Sequence, residues 1–307
     1  MYFDEEKAFL NSSLSSYINK TELKEEKAGK KVAKIINEYD NDHASLLDEI
    51  ALRENENEMK IEKSISLKKS KVFNDFYIIK EESWFKLTLK YEDDVIGFEK
   101  IVVNDNAKGE INIVYENGKN IYLSRHIFLK NNCFVIINVF GKNEHFLENR
   151  NIITFIDSNA ECYENVALIN IKGQCRFYTQ LNHKEVGNKS ISTVHIAAFN
   201  DSSSSIEGLI KIFEHAKNSD ALLIQKTLLC SDEARVYSYP SLEIKNNEVK
   251  ATHSSAISKI DEEEIFYLRC RGLSYKEAYK ECVISFLKSS VHKKITKKHE
   301  KILENII

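Results

Sequence analysis

Few residues in this 307-residue chain have both the type and the setting to do chemistry, and His253 is the first of them. It sits in ATHSSA, after a strand-like run and before a helix signal, where small neighbours leave an imidazole accessible. A neutral imidazole is a common ligand for iron and other transition metals. The same residue could equally be hydrogen-bonded to backbone at a strand end. Thiols are the other soft ligands, and the six cysteines, at 133, 162, 175, 230, 270 and 282, are widely spread with no CxxC pair. That spacing argues against a zinc knuckle or a disulfide framework, so most are expected to be buried as small hydrophobes. Cys282 falls on an apolar helix face and is expected in the core. Cys270 lies between Arg269 and Arg271, which would favour a thiolate if it were exposed, but a buried helix cysteine is the expected state. Cys230, in LLCSD, reads as either inward core or exposed ligand.

Familiar catalytic signatures are missing. The chain has no GxxxxGK[ST], GxSxG, HExxH or GxGxxG, which speaks against a P-loop ATPase, a serine hydrolase elbow, a zincin and a dinucleotide site. His292 and His299 could share a helix face, but the lysines around them oppose a bound cation. Glu262, Glu263 and Glu264 look like paired acids, yet the first turn of a helix accounts for them through the macrodipole.

The elements that must position these residues change character twice along the chain. Residues 1–70 read as helical, with Val32, Ile35, Ile36, Tyr39, Leu46, Leu47 and Ile50 mostly on one face. From 71 to 258 the chain is a succession of β-branched and aromatic runs, such as VFNDFYII, SWFKLTLKY, VIGFEKIVV, INIVYE, FVIINVF, NIITFID and ALLIQKTLL. Asn117-Gly118 between INIVYE and KNIYL predicts a hairpin. The run SIEGLIKIF admits either helical spacing or strand alternation, and DSSSS before it reads as an exposed turn. Strands at intervals of roughly 10–20 residues fit a sandwich, a barrel or a solenoid, and no crisp sequence repeat decides among them. Residues 259–307 form a closing helical region. Asp261 is expected to cap a first helix with Ile265, Phe266 and Leu268 inward and Gly272 ending it. Ser274 and Glu277 form a capping box for a second. Its apolar face, Tyr275, Ala278, Tyr279, Cys282, Val283, Phe286 and Leu287, must meet either the strand body or another protein.

Composition sets the remaining bounds. A net charge of −3 with 30% charged residues gives no global field for nucleic acid or anionic membrane. Basic residues gather in HKKITKKHEK (292–301), which reads as a solvated face. No apolar run is long enough to span a bilayer, and MYFDEEKAF has no secretory h-region, so a cytoplasmic chain is expected.

The run from Pro240 to Ser274, PSLEIKNNEVKATHSSAISKIDEEEIFYLRCRGLS, resembles the closing signature of the SufB/SufD family of iron–sulfur cluster assembly scaffolds. The similarity extends over about residues 150–290. It implies a right-handed parallel β-helix core between N-terminal and C-terminal helical regions, and a non-enzymatic scaffold working with a SufC-like ABC ATPase. It further implies a nascent, transient iron–sulfur cluster at a junction with a SufB-like subunit, none of it tightly bound by the isolated chain. His253 matches the histidine that a SufD-type subunit contributes there, and the face carrying Tyr275, Tyr279, Val283 and Phe286 matches the ATPase dock. SufB-type members carry a cysteine where this chain has Ala234, and glutamates where it has Thr252 and Ser254; both departures favour a SufD-like subunit. The alternative is a minimal SufB-type homodimer, in which Cys230 would be the nearest thiol. A β-solenoid acting on polysaccharide is the rival enzyme reading, but it needs paired acids on successive rungs, and 150–250 shows no such cluster.

Overall fold

Strands with one inward and one outward face need a partner layer, and here each turn of chain provides it for the next. The computed structural model describes residues 58–61, 64–115 and 120–291. The chain divides after Glu58, and the unit Met59–Ile307 carries the strands and helices below. In chain order they are β1 (Glu58–Ile61), β2 (Ser64–Ile79), β3 (Trp84–Val103), β4 (Lys108–Tyr115), β5 (Ile121–Leu129), β6 (Phe134–Asn143) and β7 (Phe146–Phe155). They continue as β8 (Glu161–Asn170), β9 (Gln174–His183), β10 (Lys189–Ala198), β11 (Ser203–Ile212), β12 (Asp220–Leu229), β13 (Arg235–Ile244) and β14 (Lys250–Lys259). Two helices close the described chain, α1 (Glu262–Cys270) and α2 (Tyr275–Lys288).

Strand pairing defines a parallel β-solenoid of about six turns. The first half of β3 pairs with β4, which continues the stack β6, β8, β10, β12, β14; its second half pairs with β5, which continues β7, β9, β11, β13. The two stacks face one another across a lumen. Inward rows such as Leu87, Ile111, Ile137 and Ile101, Ile127, Ile153 are wholly buried and make one continuous apolar core. No single coil could bury its own inner face, so the core forms only by stacking.

The repeat that sequence inspection lacks is conformational. The corner entering each strand of the even stack from β3 to β12 holds one residue at positive φ: Glu82, Asn106, Asn132, Asn159, Gly187 and Asn218. They recur every 24 to 31 residues, Glu82 to Asn106 the shortest interval and Gly187 to Asn218 the longest. Each donates its amide to the corner of the next coil, for example Asn106 N to Asn131 O at 2.9 Å and Asn132 N to Ser158 O at 3.1 Å. Asparagine tolerates this left-handed geometry better than other non-glycine residues. The periodic signal is therefore an Asn or Gly between apolar runs, easily read as ordinary loop composition.

Several expectations change. The strands begin at Glu58, so the boundary at 71 falls inside β2, and the helical reading of the earlier residues lies outside the described chain apart from 58–61 and 64–70, which are strand. The basic run 292–301, with His292 and His299, also lies outside it. The Asn117-Gly118 hairpin does not form: β4 and β5 belong to opposite stacks and no antiparallel pair joins them. A hairpin would leave both inner faces on one sheet with nothing opposite; here they belong to the two facing stacks. SIEGLIKIF is strand β11, and in DSSSS only Asp201 is exposed, since Ser202 and Ser204 are buried. Asp261 caps α1, and Ser274 with Glu277 forms the capping box of α2, both as expected. Gly272, at φ +99°, follows the Arg271 cap of α1. Phe266, expected inward, is 67% exposed, and Cys270, expected buried, is exposed.

Candidate functional site

The stack ends at β13 and β14, each paired with one strand only, so their outer edges carry N–H and C=O groups with no strand partner among the described residues. Unpaired edges of ten residues are templates for another chain. Along these two strands the burial seen elsewhere gives way to exposure: Tyr237 and Tyr239 stand outward on β13, and Leu242, Ile244 and Ile257 are open.

His253 lies in this last coil. In register it follows Leu223, which is fully buried, and Ser192 beyond it, so it occupies the inward row of the even stack. Because no further coil among the described residues covers this end of the lumen, a residue in the inward phase is exposed there. Accessibility therefore comes from the open end of the solenoid more than from small neighbours.

Cys230 is not brought to His253. It follows the end of β12, seven positions beyond Leu223, or about 23 Å of extended strand. Its thiol is partly buried under α2, and burial pushes it up to about 12, which keeps it protonated at neutral pH. Ala234 precedes β13 and is partly exposed. The other thiols at 133, 162, 175 and 282 are buried.

Of the helix pair, α2 packs on the outer face of the even stack, against β8 and β10, and α1 packs on α2. Of the four residues expected to face a partner, only Tyr275 is well exposed. Val283 is 1% exposed in the apolar cluster with Phe140, Ala167 and Leu287; Phe286 stacks on His195 at 4.8 Å; and Tyr279 donates its hydroxyl to the Cys230 carbonyl at 2.6 Å. Val283, Tyr279 and Phe286 thus hold the helix to the strand body. Outward, the pair instead presents Phe266, Tyr267 and Tyr275, with Arg271 over the Tyr267 ring at 4.9 Å. A cavity of about 610 Å³ lies between α1, α2 and the end of β14, lined by Lys259, Asp261, Glu264, Glu281 and Cys282 among others.

Beneath α2, His195 Nδ1 lies 2.9 Å from the Phe286 carbonyl, which can only accept, so Nδ1 carries the proton. Nε2 is then a buried lone pair without a partner, and burial lowers the imidazole to about 4.

Sequence reading missed a polar cluster inside the lumen. Arg125, wholly buried, pairs with Glu99 at 2.6 Å and donates to Asn151 at 2.9 Å and to the Tyr91 hydroxyl at 2.7 Å. Burial alone would lower the guanidinium, but the Tyr91 and Glu99 oxygens hold it above its ordinary value. Asn151 in turn donates to Glu164 at 2.8 Å, which also accepts from Thr179 and Ser192 at 2.6 Å each. Burial raises the Glu164 carboxyl above the usual range despite those three bonds. The available signal was phase: Glu99, Arg125 and Glu164 share the alternation of their inward apolar neighbours.

Residues 78–286 match the family described as SUF system FeS cluster assembly, SufBD core domain. The iron-sulfur cluster assembly protein SufD of Escherichia coli is 31% identical over 128 residues, 42% of this chain and 27% of that protein. A SufBD family protein of Synechocystis is 28% identical over 132 residues, 43% of this chain and 28% of that protein. One from Pyrococcus horikoshii is 42% identical over 77 residues, 25% and 17% of the two chains. The matches thus span about a quarter of these relatives' length or less. With the family match covering most of the solenoid and both helices, the chain belongs to the SufBD core-domain family.

Proposed function

We propose that this chain is a non-enzymatic scaffold subunit for iron–sulfur cluster assembly, a SufD-like member that pairs edge to edge with a SufB-like subunit and works with a SufC-like ATPase in the cytoplasm. The observation that carries the proposal is the last coil, whose two outer strand edges have no strand partner among the described residues and beside which His253 stands exposed in the inward phase. Edge pairing would bring His253 against the partner's strands. There its imidazole can share a nascent cluster whose thiolate ligands the partner supplies, since Cys230 is distant and protonated. The cluster is cargo in this reading, held only during assembly. Phe266, Tyr267 and Tyr275 form the exposed aromatic face for the ATPase.

Anaerobic reconstitution with iron, sulfide and the two partner subunits tests this. Wild-type complex should develop the visible absorption of a cluster, and His253→Ala should lose at least tenfold in yield while still forming the complex. Undiminished yield in that variant would remove His253 from the site. Assembly of clusters by this chain alone, as a homodimer, would favour the minimal SufB-type reading.

A further inference from the structure

The inward rows of the last coil carry Val236, Ser238, Pro240, Leu242 and Ile244 on β13 and Ala251, His253, Ser255 and Ile257 on β14, so small polar side chains, Ser238 and Ser255, stand in the middle of both rows. Each of these strands is held by one neighbour, β11 or β12, so no strand ladder sets their separation across the lumen. One side-chain hydrogen bond joins β14 to β13, and a second ties β13 to Gln225 on β12. Ser255 Oγ donates to Ser238 Oγ at 2.8 Å, and Ser238 Oγ donates to Gln225 Oε1 at 2.7 Å.

Gln225 is wholly buried and lies beside Ser255 in register. Its side chain reaches across the lumen because Gly208 on β11 leaves the space: a Cβ there would stand 2.5 Å from Gln225 Nε2 and would collide with Leu223. Gly208 is needed for room, not for backbone freedom, since its φ is not positive. The amide nitrogen of Gln225 is buried without a partner, which leaves its desolvation uncompensated. Leucine would avoid that cost, so what glutamine adds at this position is the contact made by its oxygen.

We infer that Gln225, Ser238 and Ser255, with Gly208 making room, are a positioning unit that fixes the spacing of the two edge strands and hence the place of His253, two residues from Ser255 on the same inward row. Its functional consequence rests on the proposed role of His253, but the spacing itself does not. Spin labels at the outward positions Ser241 and Ser254 (S241C and S254C, with C270S) report the spacing in the full chain by dipolar spectroscopy. Wild type should give one narrow distance distribution. Ser238→Ala and Gln225→Leu should broaden or shift it, Gly208→Ala should do the same by displacing Gln225, and Ser238→Thr, which keeps the hydroxyl, should restore the narrow form. An unchanged distribution in both Ser238→Ala and Gln225→Leu overturns the inference, whatever happens to cluster yield. If the distribution broadens while His253→Ala still builds clusters fully, the positioning unit stands and the ligand role of His253 falls.

Discussion

Replacing Arg125 by methionine should be among the most destabilising single changes available to this protein. The guanidinium is 0% exposed and holds Glu99, Asn151 and the Tyr91 hydroxyl together across three strands. Methionine fills comparable space, so the cost is electrostatic more than a cavity. It leaves the Glu99 carboxylate buried with the Tyr91 hydroxyl as its remaining partner. Breaking a buried pair from one side costs about 3–5 kcal/mol, which for a domain of this size lowers Tm by roughly 6–20 °C. Removing both charges together, as in Glu99→Leu with Arg125→Met, should recover most of that loss, because desolvating the pair offsets much of its attraction. Urea unfolding followed by circular dichroism on wild type, both singles and the double gives the coupling energy, expected at about 2 kcal/mol or more. A single change costing less than about 1 kcal/mol, or a double equal to the sum of the singles, would refute the account of this cluster as a mutually dependent buried pair.

Two further outcomes follow from the same structure. His195 binds fewer protons folded than unfolded between its folded value of about 4 and its ordinary value of 6.5. Its contribution is therefore complete above about pH 6.5 and is lost as pH falls toward 4, by about 3 kcal/mol in all. Hydrogen exchange in α2 should show that acid loosening in wild type, and His195→Asn, which keeps a donor for the Phe286 carbonyl but does not titrate, should flatten it; an identical acid slope in the two would contradict the buried Nε2 argument. Thiol labelling at neutral pH should modify the exposed Cys270 at once and Cys230 far more slowly, since α2 covers Cys230 and burial pushes its thiol from 9.0 up to about 12, about 10³-fold less thiolate than an unburied cysteine carries. Rapid modification of Cys230 would show that α2 does not cover it.

The residues themselves settled a good deal. Asp261, Ser274 and Glu277 act within one turn of their own position, so local chemistry alone predicted both helix starts. Runs rich in β-branched and aromatic residues, such as INIVYE and FVIINVF, marked the strands. The long match to PSLEIK…FYLRCRG identified the family and, through it, the solenoid that strand spacing alone did not separate from a sandwich or a barrel. Tertiary structure decided everything that depends on what lies opposite. Glu99, Arg125 and Glu164 are ordinary charges in sequence and become a lumenal cluster only when coils about 26 residues apart stack in register. Val283, Tyr279 and Phe286 read as a docking face because an apolar helix stripe states only that it will be covered; the strand body covers it, and Phe266, Tyr267 and Tyr275 are left outside. His253 shares its inward phase with Leu223 in strand register, and that position is open because no strand among the described residues stacks beyond β14.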